Sequence, residues 1–101
     1  MIRLLAIRKN ISLDVREKFA LNPKKVDEGL NALHNIFDEV VILNTCNRTE
    51  IYFNSSYDES DEETLKKIFG ALNWEYKLAD NCIVLNEEKT IRHLMDVACG
   101  F

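Results

Sequence analysis

The feature that most constrains this chain is a pair of β-rich runs joined by a very short connection. Glu39–Leu43 is a continuous apolar run rich in β-branched residues, which reads as a buried strand. Thr49–Phe53 alternates Thr49, Ile51 and Phe53 against Glu50 and Tyr52, the period of a second strand. Only Asn44-Thr45-Cys46-Asn47-Arg48 lies between them. One strand therefore delivers a polar turn and the next carries the chain away from it.

Helical periodicity flanks this pair on both sides. Upstream, Asn22 is an N-cap with Pro23 at the first helical position, and Leu21 can staple onto Val26. Val26, Leu30, Leu33 and Phe37 then recur as one apolar stripe, with His34 at its boundary as a surface residue. Before it, Ser12 caps a short helix with Asp14 in its first turn and Leu13, Val15 and Phe19 as apolar surface. Downstream, Ser60 and Glu63 form a capping box that opens a helix with Leu65, Ile68, Phe69 and Leu72 facing the core. Met1–Ile7 reads as a first strand and Cys82–Leu85 as a fourth, while Trp74 and Tyr76 close over the core. Asn86 caps a last helix that carries Glu87 and Glu88 in its first turn and ends at Gly100. Ile91, Leu94, Met95 and Ala98 form its apolar stripe, which turns His93 toward the opposite side. The order β-α-(α)-β-β-α-β-α predicts an α+β fold. It is a ferredoxin-like split βαβ sandwich, a four-stranded antiparallel sheet with helices on one face plus a C-terminal helix.

Length and charge narrow the function classes. With 101 residues, positions 1–101 make one small domain around one core. Val40–Leu43 is the longest clean apolar run, far too short to cross a bilayer. The start of the chain meets Arg8 and Lys9 before any signal-peptide core develops, so a cytoplasmic protein is expected. A net charge of −4 argues against nucleic-acid binding through overall charge. The acidic excess is concentrated in Asp58–Glu63, read as a solvated helix start, while Arg3, Arg8, Lys9, Arg16 and Lys18 make the first 18 residues basic and leave local phosphate contact open. Cys46, Cys82 and Cys99 are too few and too unevenly spaced for a disulfide framework, and no CxxC accompanies the two histidines, so no metal site is expected.

The chemistry concentrates in the short connection. Beside Arg48, the Cys46 thiol can ionise more readily, and a thiolate is the form that captures acyl groups. Thr45, Asn47 and the loop amides can donate hydrogen bonds to an acyl oxygen, and Arg48 offers a planar fork to a carboxylate. Spacing alone leaves a second reading open, in which Cys46 is a small buried hydrophobe and Arg48 a surface charge. His93 is likewise either a solvated helix residue or a proton carrier. Cys82, on a strand, and Cys99, in the last turn of a helix, read as structural.

A resemblance bears on these alternatives. Leu43-Asn44-Thr45-Cys46-Asn47-Arg48-Thr49-Glu50-Ile51-Tyr52 resembles the Ser/Thr-Cys-Asn-Arg-x-Glu run of glutamyl-tRNA reductases. Ser12–Phe19 is similar to that family's early helix and Ile91–Gly100 to a later helix, in the same order along the chain. Asn44 and Cys99 stand where the family more often has Ser. The resemblance implies NADPH-dependent reduction of glutamyl-tRNA(Glu) to glutamate-1-semialdehyde, the first step of tetrapyrrole (porphyrin) synthesis. It implies that Cys46 attacks the ester to give a thioester, that Thr45, Cys46, Asn47 and Arg48 bind substrate, and that His93 is the activity-linked histidine. It further implies a homodimeric full-length enzyme, with glutamate-1-semialdehyde aminomutase as a partner, no metal and no membrane. The NADPH-binding and dimerisation domains are expected outside this chain, which has three glycines and no GxGxxG run. Two other classes compete with this reading, a stand-alone ferredoxin-like RNA-binding module and a small thiol hydrolase or redox domain built on Cys46 and His93.

Overall fold

The helix starts are capped as their residues require. In a computed structural model that describes residues 2–45, 48–55, 59–86, 89–90 and 92–94, Ser12 accepts from Val15 N–H and opens α1 (Leu13–Lys18). Asn22 accepts from Lys25 N–H ahead of α2 (Pro23–His34), and Ser60 from Glu63 N–H ahead of α3 (Asp61–Leu72). Each cap satisfies one of the amides that a helix start leaves without an intrahelical partner. At the other end of α3, Asn73 adopts a left-handed conformation (φ 61°) and Trp74 N–H reaches back to Phe69 O, which stops the helix.

Four strands complete the fold: β1 (Ile2–Ile7), β2 (Val40–Asn44), β3 (Thr49–Asn54) and β4 (Cys82–Leu85). They lie in the order β2-β3-β1-β4, and every neighbouring pair is antiparallel. β1 and β2 therefore run parallel with β3 between them, and β3 and β4 run parallel with β1 between them. These are two interleaved split βαβ units, with α1–α2 as one crossover and α3 as the other. Ala6 pairs with Glu50, Asn44 with Thr49, and Ile7 with Cys82, which brings the end of β1, the β2–β3 connection and the start of β4 to one end of the sheet.

One face of the sheet is packed against α1–α3. Leu5, Ile51 and Phe53 meet Phe19, Leu33, Phe37, Ile68, Phe69 and Leu72, all of them buried. Each contributes about 1.5–3 kcal/mol through removal of its side chain from water. Gly29 permits the helices to approach closely, since a Cβ there would lie 2.4 Å from Leu72 Cδ2. No helix among the described residues is long and apolar enough to cross a membrane.

Four expectations change in the folded chain. β2 is an edge strand rather than a buried one, and Val41 is 61% exposed. Leu13 is 69% exposed because it lies six residues from the buried Phe19, about 120° away around the helix axis, so the two cannot both face the core. Trp74 is buried but Tyr76 is half open, standing edge-on to Phe69 at the start of a 3-10 turn (Tyr76–Asn81) that periodicity did not reveal. The acidic run is also not wholly solvated: the Glu59 side chain is largely buried against Lys67, at 2.6 Å, and Asp61 pairs with Arg3.

The last helix departs most from expectation. Its described positions, 89, 90 and 92–94, are helical, with Thr90 N–H donating to Asn86 O at 2.8 Å. Thr90 is fully buried, its hydroxyl donating to Leu85 O, and Leu94 is 48% exposed. Thr90 and His93, three residues apart on one helical face, reach the sheet, while Leu94 at the edge of that face stays half exposed. Ile91, Met95 and Ala98 lie outside the described residues. The surface approached is the second face of the sheet, where Leu4, Ala6 and Tyr52 form a separate small apolar cluster.

Candidate active site

The polar site grows from the strand period. Side chains two apart on a strand share a face, so Glu50 and Tyr52 of β3 point to the second face of the sheet, with Arg48 just before the strand on the same side. The Glu50 carboxylate is 4% exposed and lies within reach of three side chains. Tyr52 Oη donates to its Oε2 at 3.2 Å, Arg48 Nε stands 3.5 Å from its Oε1, and His93 Nε2 stands 2.5 Å from its Oε2. The His93 approach is close but not aligned as a hydrogen bond: His93 Nε2, like Glu50 Oε1, is a buried atom without a hydrogen-bond partner of good geometry. The Tyr52 hydroxyl is pushed up to about 12, first by burial and then by the adjacent Glu50 charge, so it acts at neutral pH as a fixed donor.

The β2–β3 connection is held from within. Thr45 N–H donates to Arg48 O at 2.8 Å, and Arg48 N–H donates to Thr45 Oγ1 at 3.2 Å, which ties the ends of the turn across positions 46 and 47. Asn44 anchors it to the helical layer, donating from Nδ2 to Leu21 O at 2.8 Å and accepting from Thr49 Oγ1 at 3.0 Å. Cys46 and Asn47 themselves lie outside the described residues, as does Cys99.

Two clefts meet at this end of the sheet, and Ile7, Arg8 and Arg48 line both. One, of about 410 Å³, opens on the helical side between Arg8, Arg16, Leu13, Asn44, Thr45 and Arg48. The other, of about 440 Å³, opens on the second face, where Arg48, Glu50 and His93 face Arg8, Lys9 and Asn10. The basic start of the chain thus divides. Arg8, Lys9 and Arg16 line the clefts, whereas Arg3 is buried near the other end of β1. Such a cationic rim over a largely apolar lining suits an anionic ligand with an aliphatic part that spans both openings.

Of the residues singled out in the sequence, Thr45, Arg48 and His93 come together here. Cys82 does not: it is buried in the helix-side core and burial pushes its thiol up to about 12, the behaviour of an inert structural cysteine. His34 is exposed at the end of α2. Glu50, Arg8 and Arg16 went unremarked as site residues. The signal for Glu50 was present, because the strand period puts Arg48, Glu50 and Tyr52 on one face. The cleft-lining role of Arg8 and Arg16 had no such signal, since it depends on how α1 folds back over the end of the sheet.

Comparison with known proteins gives the chain a family. The glutamyl-tRNAGlu reductase N-terminal domain family matches residues 6–101. Among curated relatives, the glutamyl-tRNA reductase of Clostridium beijerinckii is 50% identical over 101 residues, that of Clostridium perfringens (strain 13 / Type A) 46% and that of Caldicellulosiruptor saccharolyticus 38%. Each alignment covers all of this chain but 25% of the relative, so the chain spans about a quarter of the length of the proteins it matches. By this match over almost its whole length, the chain belongs to the glutamyl-tRNAGlu reductase N-terminal domain family.

Proposed function

We propose that this domain carries the acyl-transfer half of a glutamyl-tRNA reductase, with Cys46 as nucleophile. The observation that carries the reading is the meeting of Thr45, Arg48 and His93, from two distant parts of the chain, around one pair of cationic clefts. The Cys46 thiolate attacks the ester carbonyl of glutamyl-tRNA(Glu). A carbon–sulfur bond forms, the carbon–oxygen bond to the terminal ribose breaks, and the tRNA hydroxyl leaves with a proton. His93 supplies that proton, a task for which an imidazole is suited. Thr45 and Asn47 donate to the acyl oxygen as its charge grows, and the Arg48 fork takes the glutamate carboxylate.

Reduction of the acyl group to glutamate-1-semialdehyde would require a hydride, which NADPH would supply when bound. The residues of this chain do not fit that dinucleotide: Gly29 and Gly70 lie inside helices and no glycine-rich phosphate loop occurs. We assign NADPH to other parts of the longer protein. A homodimer, a tetrapyrrole pathway role and transfer of the aldehyde to glutamate-1-semialdehyde aminomutase complete the reading for that longer protein. A sheet-surface RNA reader fits less well, because Tyr52 and Phe53 are both buried and offer no stacking platform.

The test uses the full-length protein without NADPH and glutamyl-tRNA labelled in its glutamate. Label should accumulate on the Cys46 peptide, be released by hydroxylamine, and be absent from Cys46→Ser. Equal labelling of Cys46→Ser would refute the nucleophile.

A further inference from the structure

We propose that Glu50 is a positioning residue of this site, its buried carboxylate holding Arg48 and His93 in one fixed relation at the mouth of the second-face cleft. The inference rests on the acyl-transfer reading and adds a residue to it. A carboxylate 4% exposed and on a central strand is far from its best solvent, and burial of a charge is tolerated where fixed partners compensate it. The partners come from separate elements. Tyr52 sits two residues on along β3, Arg48 stands where the β2–β3 connection rejoins the sheet, and His93 arrives from the last helical stretch.

Their chemistry differs in a way that suits a pivot. Tyr52, a fixed donor, sets the carboxylate's orientation from beneath. Arg48 meets it through Nε, and a guanidinium engaged at Nε still has two Nη amines to offer a substrate carboxylate. Glu50 Oε1 and His93 Nε2 are buried yet lack well-aligned hydrogen bonds. The Arg48 contact, at 3.5 Å, has room to shorten, and the His93 contact, already at 2.5 Å, has room to realign once an anion enters the cleft. A purely structural Glu50 would pin the last helix to the sheet and require only size and hydrogen bonding. A positioning Glu50 requires the negative charge.

Single-turnover glutamyl transfer in the full-length protein, without NADPH, separates the two. Glu50→Gln keeps the volume and an acceptor for Tyr52 but loses the charge, and should slow transfer at saturating glutamyl-tRNA by at least about tenfold. The tRNA concentration giving half the maximal rate should change by less than about threefold. In that background His93→Asn should cost less than about threefold more, although alone it costs about tenfold or greater, because the two residues act as a unit. A glutamine variant with the wild-type rate, or one whose loss vanishes when rates are corrected for folded protein, overturns the proposal. Should Glu50→Gln not fold, Glu50→Asp carries the test. It retains the charge but falls one methylene short of its partners, and a wild-type rate there overturns the proposal equally. Wild-type protein that takes no label sinks the acyl-transfer reading and this proposal together, whereas a labelled wild type with an unimpaired glutamine variant sinks this proposal alone.

Discussion

Two charges are buried near opposite ends of the same central strands, and they are buried differently. Arg3 pairs across from Phe53 and turns to the helical side, where Thr64 Oγ1 accepts from it at 3.1 Å, Glu59 O accepts at 3.3 Å, and the Asp61 carboxylate closes on it. Asp61 and Thr64 lie in the first turn of α3 and Glu59 just before its cap, so one segment holds both Nη groups, while Nε is buried without a hydrogen-bond partner. Glu50 pairs across from Ala6 and turns to the other face, with partners from the β2–β3 junction, its own strand and the last helical stretch. It lies beside a cleft. The comparison teaches that burial alone does not mark a functional charge. A charge held by one continuous segment holds the fold together, while a charge shared among elements that meet at an opening holds their side chains in relation to a ligand.

The contrast can be broken most sharply at the thiols. Cys82 belongs to the packed side, with its thiol raised to about 12, while the site reading puts Cys46 at the cleft. Alkylation at pH 8 with mass mapping should label Cys46 at least about 100-fold faster than Cys82, because the thiolate is the reacting form. Equal rates would place Cys46 with the structural cysteines. The next largest effect concerns Arg3. Arg3→Leu should lower unfolding stability by about 2 kcal/mol, the scale of losing hydrogen bonds to a charged donor, with the exposed Asp61 contributing little. Glutamyl transfer per folded molecule should be unchanged, and a selective loss of transfer would erase the distinction between the two buried charges. At the other end, Arg48→Lys keeps charge but loses the fork. Its kcat/KM in the full-length enzyme should fall at least about tenfold, or about 1.4 kcal/mol, while stability moves by less than about 0.5 kcal/mol. Unchanged kinetics would make guanidinium geometry irrelevant.

The smallest effect asks whether Cys82 and Tyr52 are as enclosed as their packing indicates. Both have raised folded pKa values, so above pH 9 the unfolded chain releases protons that the native chain retains. Stability is then fully present below pH 9 and declines toward pH 12, by about 1 kcal/mol between pH 8 and 10 from Cys82 alone. Urea midpoints at the two pH values measure it, and Cys82→Ala should flatten the dependence. A decline of the same size in that variant would assign the effect to other groups.

Much of the fold was legible because its cues are local. Ser12, Asn22 and Ser60 are short polar side chains that reach an amide three residues on, a geometry fixed by the backbone whatever surrounds it. Cys82–Leu85 was read with its full bounds, since turn-forming residues flank four strand-forming ones. Burial was less legible. Leu94 is as apolar as any core residue, yet Thr90 took the buried place, because a hydroxyl that donates to Leu85 O can be enclosed where the helix meets the strand end. Val41 stands in a run that reads as interior, but no local pattern says that β2 will have a neighbour on one side only.

The sequence by itself determined the main helices and strands, their order, and the residue types of a polar turn between two strands, because propensity, capping and hydrophobic period act over a few residues. The grouping of that turn with its partners was decided by the tertiary structure alone. Strand order, set by which apolar faces can be buried together, brings Arg8, Arg48 and the start of β4 to one end of the sheet. Which side of the last helix meets the second face then decides that His93 reaches Glu50 rather than water. Those contacts join residues distant along the chain, and their free energy depends on packing and desolvation that no local run of amino acids contains.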